Sequence, residues 1–577
     1  MRLAIAAAHA TLLAALLAWS WRKWPDPLVD FGRELYLPWQ ITRGRVLYRD
    51  IASLFGPLSP YVNALWFRLF GVSLMTLAWC NVVVFAAALA GIYHLIRVST
   101  DRVTATAAGL TTLLLFGFSQ YVSIGNYNFV TPYSHEATYG FALAVAALVC
   151  LQRALTTQRL RWWALGGIAF GSVALTKPEI LVASAFAVTV GILAATMAGA
   201  GEWRAAVRGT ATFVLAAVLP SAAFLSYFTR FMPLPEALRA VGGAWTAIGA
   251  DVAANAFYAR GMGLDDPAAN AWRMAMAFSG FIAYILAAAL VAQTRIWRVA
   301  LLAVGILLVP WGTFPRALPL IAATTLVAAV RLVRTSRDAR DRVGRHVTLA
   351  MWSAFALALL AKMVLNARIA HYGFYLALPA TVTTIALVCS VIPEWIAGTW
   401  GTARALGFRH IMAWTIVAAA APYVGLSYGW YAMKQLPVAA GGDRFFAAVG
   451  PDRWEGAAVA DAVAALGATA PADATIAVLP EGVMINYLLR RESPLRVVNF
   501  MPPESMAFGE DAIVQSLEAA PPDFIVLVRK DTSEYGYPAF GADARYGSRT
   551  LAWVRERYVP WRRIGDGAIE IVRRSRS

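Results

Sequence analysis

The sequence predicts an all-α polytopic membrane protein of about 13 transmembrane helices, followed by a small C-terminal α/β domain outside the membrane. Three observations carry that expectation. The 577 residues are 59% hydrophobic and only 14% charged, whereas soluble chains carry about 25% charged residues. Apolar runs of roughly twenty residues, the length that crosses a bilayer, recur along the chain up to Tyr431. Beyond that point the composition changes to ordinary charge, proline and glycine breaks and short β-rich runs. Two domains follow from this change, residues 1–433 in the membrane and residues 434–577 outside it.

In order, the spans fall near 3–21, 72–97, 103–124, 137–155, 162–176, 180–199, 210–229, 274–293, 299–312, 317–333, 347–366, 372–391 and 411–431. The first begins like a signal peptide, with Arg2 ahead of an apolar run. It lacks a small-residue cleavage site and ends in Trp19, Trp21 and Trp24, an interfacial belt, so a retained span is expected. The spans near 162 and 299 are short.

A formal charge of +17 raises the question of nucleic acid. The arginines lie mostly in short loops between apolar runs, which positive-inside topology explains, so no nucleic-acid partner is expected. Arg97 and Arg102, Arg153, Arg159 and Arg161, Arg204 and Arg208, Arg295 and Arg298, the run Arg331, Arg334, Arg337, Arg340, Arg342 and Arg345, and Arg404 with Arg409 all fall on one side. With thirteen spans that side is the one that holds Met1, which makes the N-terminus cytoplasmic and the C-terminal domain periplasmic in a bacterial inner membrane. The outer side receives the opening loop Val29–Tyr61, 125–136, 230–273 and everything after Lys434.

In the C-terminal part, Thr475–Leu479, Arg496–Asn499 and Phe524–Val528 read as strands, and Val483–Arg490 and Asp511–Ala519 as helices. Cys80, Cys150 and Cys389 sit in apolar runs without CxxC spacing and read as small core residues. No nucleotide or redox-cofactor motif stands out. A divalent cation is compatible with the acids, but no ligand spacing indicates one.

The candidate chemistry gathers on the outer side. Val29–Tyr61 is a long polar interruption carrying Asp30, Arg33, Glu34, Arg43, Arg45, Arg49 and Asp50. If Gly32–Thr42 is an interfacial helix, Asp30 and Glu34 share a face while Leu35, Trp39 and Ile41 meet lipid. A carboxylate at a partly dry edge gains a raised pKa, which suits a general base; alternatively Asp30 only caps the helix. Asp50 reads either as a second acid or as a salt-bridge partner of Arg49 or Arg45. His135-Glu136, at the mouth of a span, is either an ionisable pair that binds a metal, orients a phosphate or polarises an acceptor, or a solvated loop end. Lys177, before the helix-breaking Pro178, needs an anion, which is either Glu179 or a ligand phosphate. Arg368 and His371 are three residues apart, and with Lys177 and Arg316 they can neutralise a phosphate; snorkelling is the plainer alternative.

With VDFGRELY, GRVLYRDIASLFGPLSPY, LTKPE and HYGFYLALP in place, the first 430 residues or so resemble the GT-C class of membrane glycosyltransferases. The resemblance is strongest to bacterial relatives of protein O-mannosyltransferases and of lipid A aminoarabinose transferase. It implies a GT-C-like fold and an inverting transfer from a polyprenyl-phosphate sugar donor to an acceptor hydroxyl outside the cytoplasm. An acid of the first outer loop would act as general base. By that resemblance Asp30 matches the first-loop acid, Lys177 the lysine after the fifth span, and His371 with Tyr372 the donor-phosphate contacts. The family tends to show adjacent Asp-Glu, whereas Phe31 follows Asp30 here, so the base lies with Asp30 or Glu34. The expected partners are the lipid bilayer, the lipid-linked donor and a glycan, lipid or protein acceptor. The rival from another class, a transporter or flippase of lipid-linked glycans, would place charge near the midplane and show repeat symmetry, neither of which the sequence displays.

Overall fold

The computed structural model describes residues 2–199, 203–246, 255–308, 314–336, 338 and 342–575. Arg337, Arg340, the end of the expected span at 299–312 and residues 247–254 of the long outer loop lie outside the described residues.

Among the described residues, nine helices are long and apolar enough to cross a membrane: Leu74–Ser99, His135–Thr157, Pro178–Met197, Trp203–Phe228, Ala256–Val291, Phe314–Thr335, Val343–Met363, Gly373–Trp400 and Thr402–Met433. Four other expected spans coincide with shorter helices, Arg2–Trp19, Arg102–Thr112, Leu160–Val173 and Arg295–Leu308. Local chemistry sets the ends. Ser73 Oγ accepts the Thr76 N–H at 3.1 Å and Asp101 Oδ1 accepts the Thr104 N–H at 2.9 Å, each capping orphan donors of a first turn. Pro178 opens its helix where a missing N–H is harmless. Val343–Met363 and Gly373–Trp400 form the centre of the bundle. Trp203–Phe228 and Thr402–Met433 are its outer staves, with Leu215, Leu219, Trp414 and Val417 exposed, as a lipid-facing surface requires.

The two ends of the bundle differ in charge. The arginine-rich loops meet at one end: Arg345 pairs with Glu394 and donates to Ser99 O, and Arg409 pairs with Asp101 at 3.0 Å. The C-terminal domain and the first loop sit at the other end.

The C-terminal domain starts directly where Thr402–Met433 ends. A hairpin, β1 (Lys434–Val438) and β2 (Phe445–Ala448), leads into a four-stranded sheet of β3 (Ile476–Leu479), β4 (Phe524–Val528), β5 (Tyr558–Ile564) and β6 (Ile569–Arg574). The sheet order is β3-β4-β6-β5, with β3 and β4 parallel and the other pairs antiparallel. Arg496–Asn499 is not a strand, contrary to expectation. Its backbone serves other partners, with Arg496 O accepting the Ala52 N–H of the first loop at 2.8 Å.

The helix Phe31–Thr42 forms as expected but does not lie against lipid. Leu35, Trp39 and Ile41 are all buried, because the C-terminal domain covers the face that the sequence left open. Tyr36 Oη accepts the Ser493 N–H at 2.8 Å, and Trp39 meets Tyr487 edge-on. At Gly32 an added Cβ would stand 2.4 Å from Met484 N, so only glycine allows this approach.

Candidate active site

Asp30 precedes the helix with φ of +54°, a left-handed backbone that breaks helical register with Glu34. The two acids therefore do not share a helical face. Arg33 joins them instead: its Nη2 lies 3.6 Å from Asp30 Oδ1 and 3.3 Å from Glu34 Oε1, and it donates to Tyr133 O at 3.1 Å. Burial acts to lower the Arg33 pKa, but Glu34, Asp30, Glu504 and Glu136 outweigh it and raise it, which fixes the guanidinium as a cation.

Glu34 and Asp30 have different surroundings. Glu34 Oε2 accepts both the His135 backbone N–H at 2.9 Å and the His135 Nδ1–H at 2.7 Å, while Asn81 Nδ2 donates to His135 Nε2 at 2.9 Å. Burial pushes the Glu34 carboxyl up, yet the His135 hydrogen bonds and the Arg33 charge bring it below its ordinary value. The Asp30 carboxylate accepts no hydrogen bond among the described residues and keeps only the longer Arg33 ion pair. Burial pushes its pKa up to about 7, with Glu481 and Glu34 adding to the rise and Arg33 and Lys530 opposing it. A carboxyl near 7 and free of hydrogen bonds is poised to take a proton at neutral pH.

His135 and Glu136 are not a solvated loop end: both are buried. Glu136 Oε2 accepts the Ser134 hydroxyl at 2.6 Å and, among the described residues, meets no cation within ion-pair distance. The pair opens the His135–Thr157 helix and faces inward because the preceding loop folds back over it. Within that loop, Tyr133 N–H reaches Asn126 O at 2.8 Å.

Lys177 stands on the far side of Tyr133. Its Nζ donates to Tyr133 Oη at 2.8 Å and lies over the rings of Tyr133 and Phe55, at 4.5 and 4.8 Å from their centroids. Burial, then the Lys362 charge, pushes its pKa down to about 8. Glu179 is not its ion-pair partner. That carboxylate takes Lys362 Nζ at 2.6 Å and Tyr375 Oη at 3.0 Å. The Phe55-Gly56 turn is locked beside Lys177 because Leu58 N–H reaches Leu175 O at 3.1 Å; a Cβ on Gly56 would stand 2.1 Å from that oxygen.

Tyr372 packs on Tyr133, with 4.9 Å between ring centroids, and Lys362 Nζ lies 5.9 Å from its ring centroid. His371 is wedged against Tyr127 and Tyr372, at 4.1 and 4.0 Å. Burial, then the Arg368 charge, pushes the His371 pKa down to about 3, so it is a neutral imidazole and not the cation expected. Arg368 donates to Gly261 O and Asn366 O, each at 3.4 Å, and so ties down the outer helix Ala256–Met262. Arg316 hydrogen-bonds Asn270 at 3.4 Å and is not drawn into the Asp30–Lys177 cluster. Asp50 accepts from Arg49 and from the Val46 N–H, which keeps its pKa low and makes it a turn-forming acid.

The structure thus brings Asp30, Glu34, His135, Glu136, Lys177, His371 and Tyr372 into one layer, buried at Glu34, His135, Glu136 and Lys177 and half-buried at the other three, leaving Asp50 and Arg316 outside it. Arg33, Tyr133, Lys362 and Tyr375 belong to the layer and were missed. Lys362 did carry a signal, a lone lysine in the apolar run Leu359–Leu365. Among the described residues no group of three or more His, Cys, Asp or Glu is arranged to hold a metal ion.

The model of the dolichyl-phosphate-mannose-protein mannosyltransferase family matches residues 55–227. That stretch contains His135, Glu136 and Lys177 but neither Asp30–Glu34 nor Arg368–Tyr372. The match agrees with the resemblance to membrane glycosyltransferases drawn from the motifs. No curated protein matches the chain in sequence. Among solved structures, the oligosaccharyltransferase of Archaeoglobus fulgidus tethered with an acceptor peptide is similar at 14% identity, over 98% of this chain and 74% of that one, with a TM-score of 0.49. ArnT from Cupriavidus metallidurans bound to undecaprenyl phosphate is similar at 13% identity, over 99% of this chain and 97% of that one, with a TM-score of 0.47.

Proposed function

We propose that the protein transfers a sugar from a polyprenyl-phosphate-linked donor to an acceptor hydroxyl at the periplasmic face of a bacterial inner membrane, with inversion at the anomeric carbon. One observation carries this reading: a carboxyl poised near neutrality, Asp30, and a buried ammonium, Lys177, flank Arg33 and Tyr133 in one layer. In the reaction, Asp30 removes the acceptor proton as the hydroxyl oxygen attacks the anomeric carbon. The bond from that carbon to the lipid phosphate breaks, and the phosphate leaves with the electron pair. Lys177 meets the charge that builds on the leaving oxygen, where a preorganised cation acts most strongly, while Lys362 stays paired with Glu179. Neutral His371 serves as a hydrogen-bonding and stacking group beside Tyr372. Glu34, held by His135 and Arg33, keeps the guanidinium oriented and leaves the proton transfer to Asp30. The arginine-rich end of the bundle supports the orientation, since positive loops remain cytoplasmic.

The test uses membranes from cells that express the full chain, supplied with polyprenyl-phosphate mannose and polyprenyl-phosphate aminoarabinose as probes. Transfer that falls by about 10²–10⁴-fold in Asp30→Asn at equal folded protein supports the reading. Intact translocation of lipid-linked glycan with no transfer from either probe would overturn it in favour of a flippase.

A further inference from the structure

Asp30 is held from the C-terminal domain as well as from the membrane bundle. The strands β3 and β4 are parallel neighbours, with Leu479 opposite Leu527, so the residues that follow them emerge at the same sheet edge. Functional groups of α/β sheets characteristically project from that edge, beyond the carboxyl ends of parallel strands. Here the edge presents Glu481 and Lys530. Their charges lie 2.6 Å apart, Glu481 Oε2 to Lys530 Nζ, and the glutamate is 7% exposed. Glu481 Oε1 accepts the Asp30 backbone N–H at 3.2 Å. That bond secures the peptide of a non-glycine residue at φ of +54°, a conformation that persists only where its surroundings enforce it.

The other charges that face Asp30 are few. From its own helix come Arg33 and Glu34; from the C-terminal domain, besides the pair, comes Glu504, whose Oε1 lies 3.7 Å from Arg33 Nη1. Burial holds the phenols of Tyr127, Tyr372 and Tyr535 neutral, and the Asp30 charge adds to that effect. Within this set, Glu481 and Lys530 act on the carboxyl with opposite sign.

We infer that Glu481 and Lys530 are a positioning pair, supplied by the C-terminal domain, that fixes the Asp30 backbone and balances the field at its carboxyl. The docked domain is then part of the active site and not a cover over it. This inference rests on the reading of Asp30 as the general base. Neither residue reaches the substrate: both act through Asp30.

The pair is tested by charge, with two substitutions of opposite sign. Glu481→Gln leaves Lys530 uncompensated and favours ionised Asp30, while Lys530→Met leaves Glu481 uncompensated and favours the protonated form. The probe is dicyclohexylcarbodiimide, which modifies protonated carboxyls, applied to the full chain in nanodiscs across pH and followed at Asp30 by mass spectrometry. The labelling midpoint should fall by about 1 pH unit in Glu481→Gln and rise by about 1 unit in Lys530→Met. The double variant should return towards wild type. Unmoved midpoints, or shifts in the same direction, overturn the inference. Glu481→Gln keeps the side-chain shape and an acceptor oxygen, so it decides the matter alone if Lys530→Met does not fold. Transfer measured in parallel separates the two claims. Lost transfer in Asp30→Asn with unmoved midpoints removes the pair and keeps the base. Full transfer in Asp30→Asn with opposite shifts removes the base and keeps the pair's effect on the carboxyl.

Discussion

The two ends of the helical bundle handle charge in opposite ways. At the arginine-rich end the ion pairs reach solvent: Asp101 beside Arg409 is 37% exposed and Glu394 beside Arg345 is 50% exposed. Such pairs stabilise by about 0–1 kcal/mol, and their arginines are accounted for by topology. At the other end the charges are buried and unevenly matched. Glu34 is saturated by His135 and Arg33, Glu179 by Lys362 and Tyr375, but Lys177 has a neutral tyrosine as its hydrogen-bond partner and Asp30 has only a long ion pair. Burying charge is expensive, so charge that is retained with incomplete pairing is the reason we place the chemistry at this end.

Neutral substitution at each end sharpens this contrast. Lys177→Met should lower kcat for transfer by about 10²–10³-fold with the protein still folded, the scale of removing one preorganised donor to a leaving group. Arg409→Met, the matched change at the arginine-rich end, should leave kcat unaltered. An equal loss in both variants, measured on purified protein, would erase the distinction. Lys362→Met should act chiefly on stability, by about 1.5–3 kcal/mol, because it strips a charged hydrogen bond from Glu179. Adding Glu179→Gln should restore much of the melting temperature.

A smaller and more specific effect follows from pH. Burial raises Asp30 and Glu504 to about 7, well above their unfolded values near 4. A raised carboxyl favours the fold when protonated, so its contribution is complete below about pH 4 and is lost as pH rises through 7. Asp30→Asn should therefore melt higher than wild type at pH 8 and match it near pH 4. A variant that melts lower than wild type at pH 8 would show that the Asp30 charge is stabilised and not strained.

Much of this layer was legible in the sequence. Asp30, His135-Glu136, Lys177 and His371-Tyr372 stood out because ionisable residues beside apolar spans are rare and need a reason. What joins them was not legible. The Glu34–His135 bond links positions a hundred residues apart, and the Asp30–Glu481 contact spans most of the chain. No local periodicity encodes such pairings. Arg33 was overlooked because the same residue type marks topology elsewhere, and only its ion pairs with Asp30, Glu34 and Glu504 give it another role. The helix Phe31–Thr42 was read as interfacial for a related reason. Its apolar side chains meet protein, and a sequence pattern that serves lipid serves a docked domain equally well.

The central claim is that Asp30, and not Glu34, receives the acceptor proton. Its most direct test is the rate of sugar transfer by Asp30→Asn and Glu34→Gln, assayed side by side from the same polyprenyl-phosphate donor at pH 7.5. The expected result is a loss of about 10²–10⁴-fold in Asp30→Asn, and in Glu34→Gln a smaller loss that keeps the wild-type pH profile. Wild-type transfer in Asp30→Asn together with abolished transfer in Glu34→Gln would contradict it and move the base to Glu34.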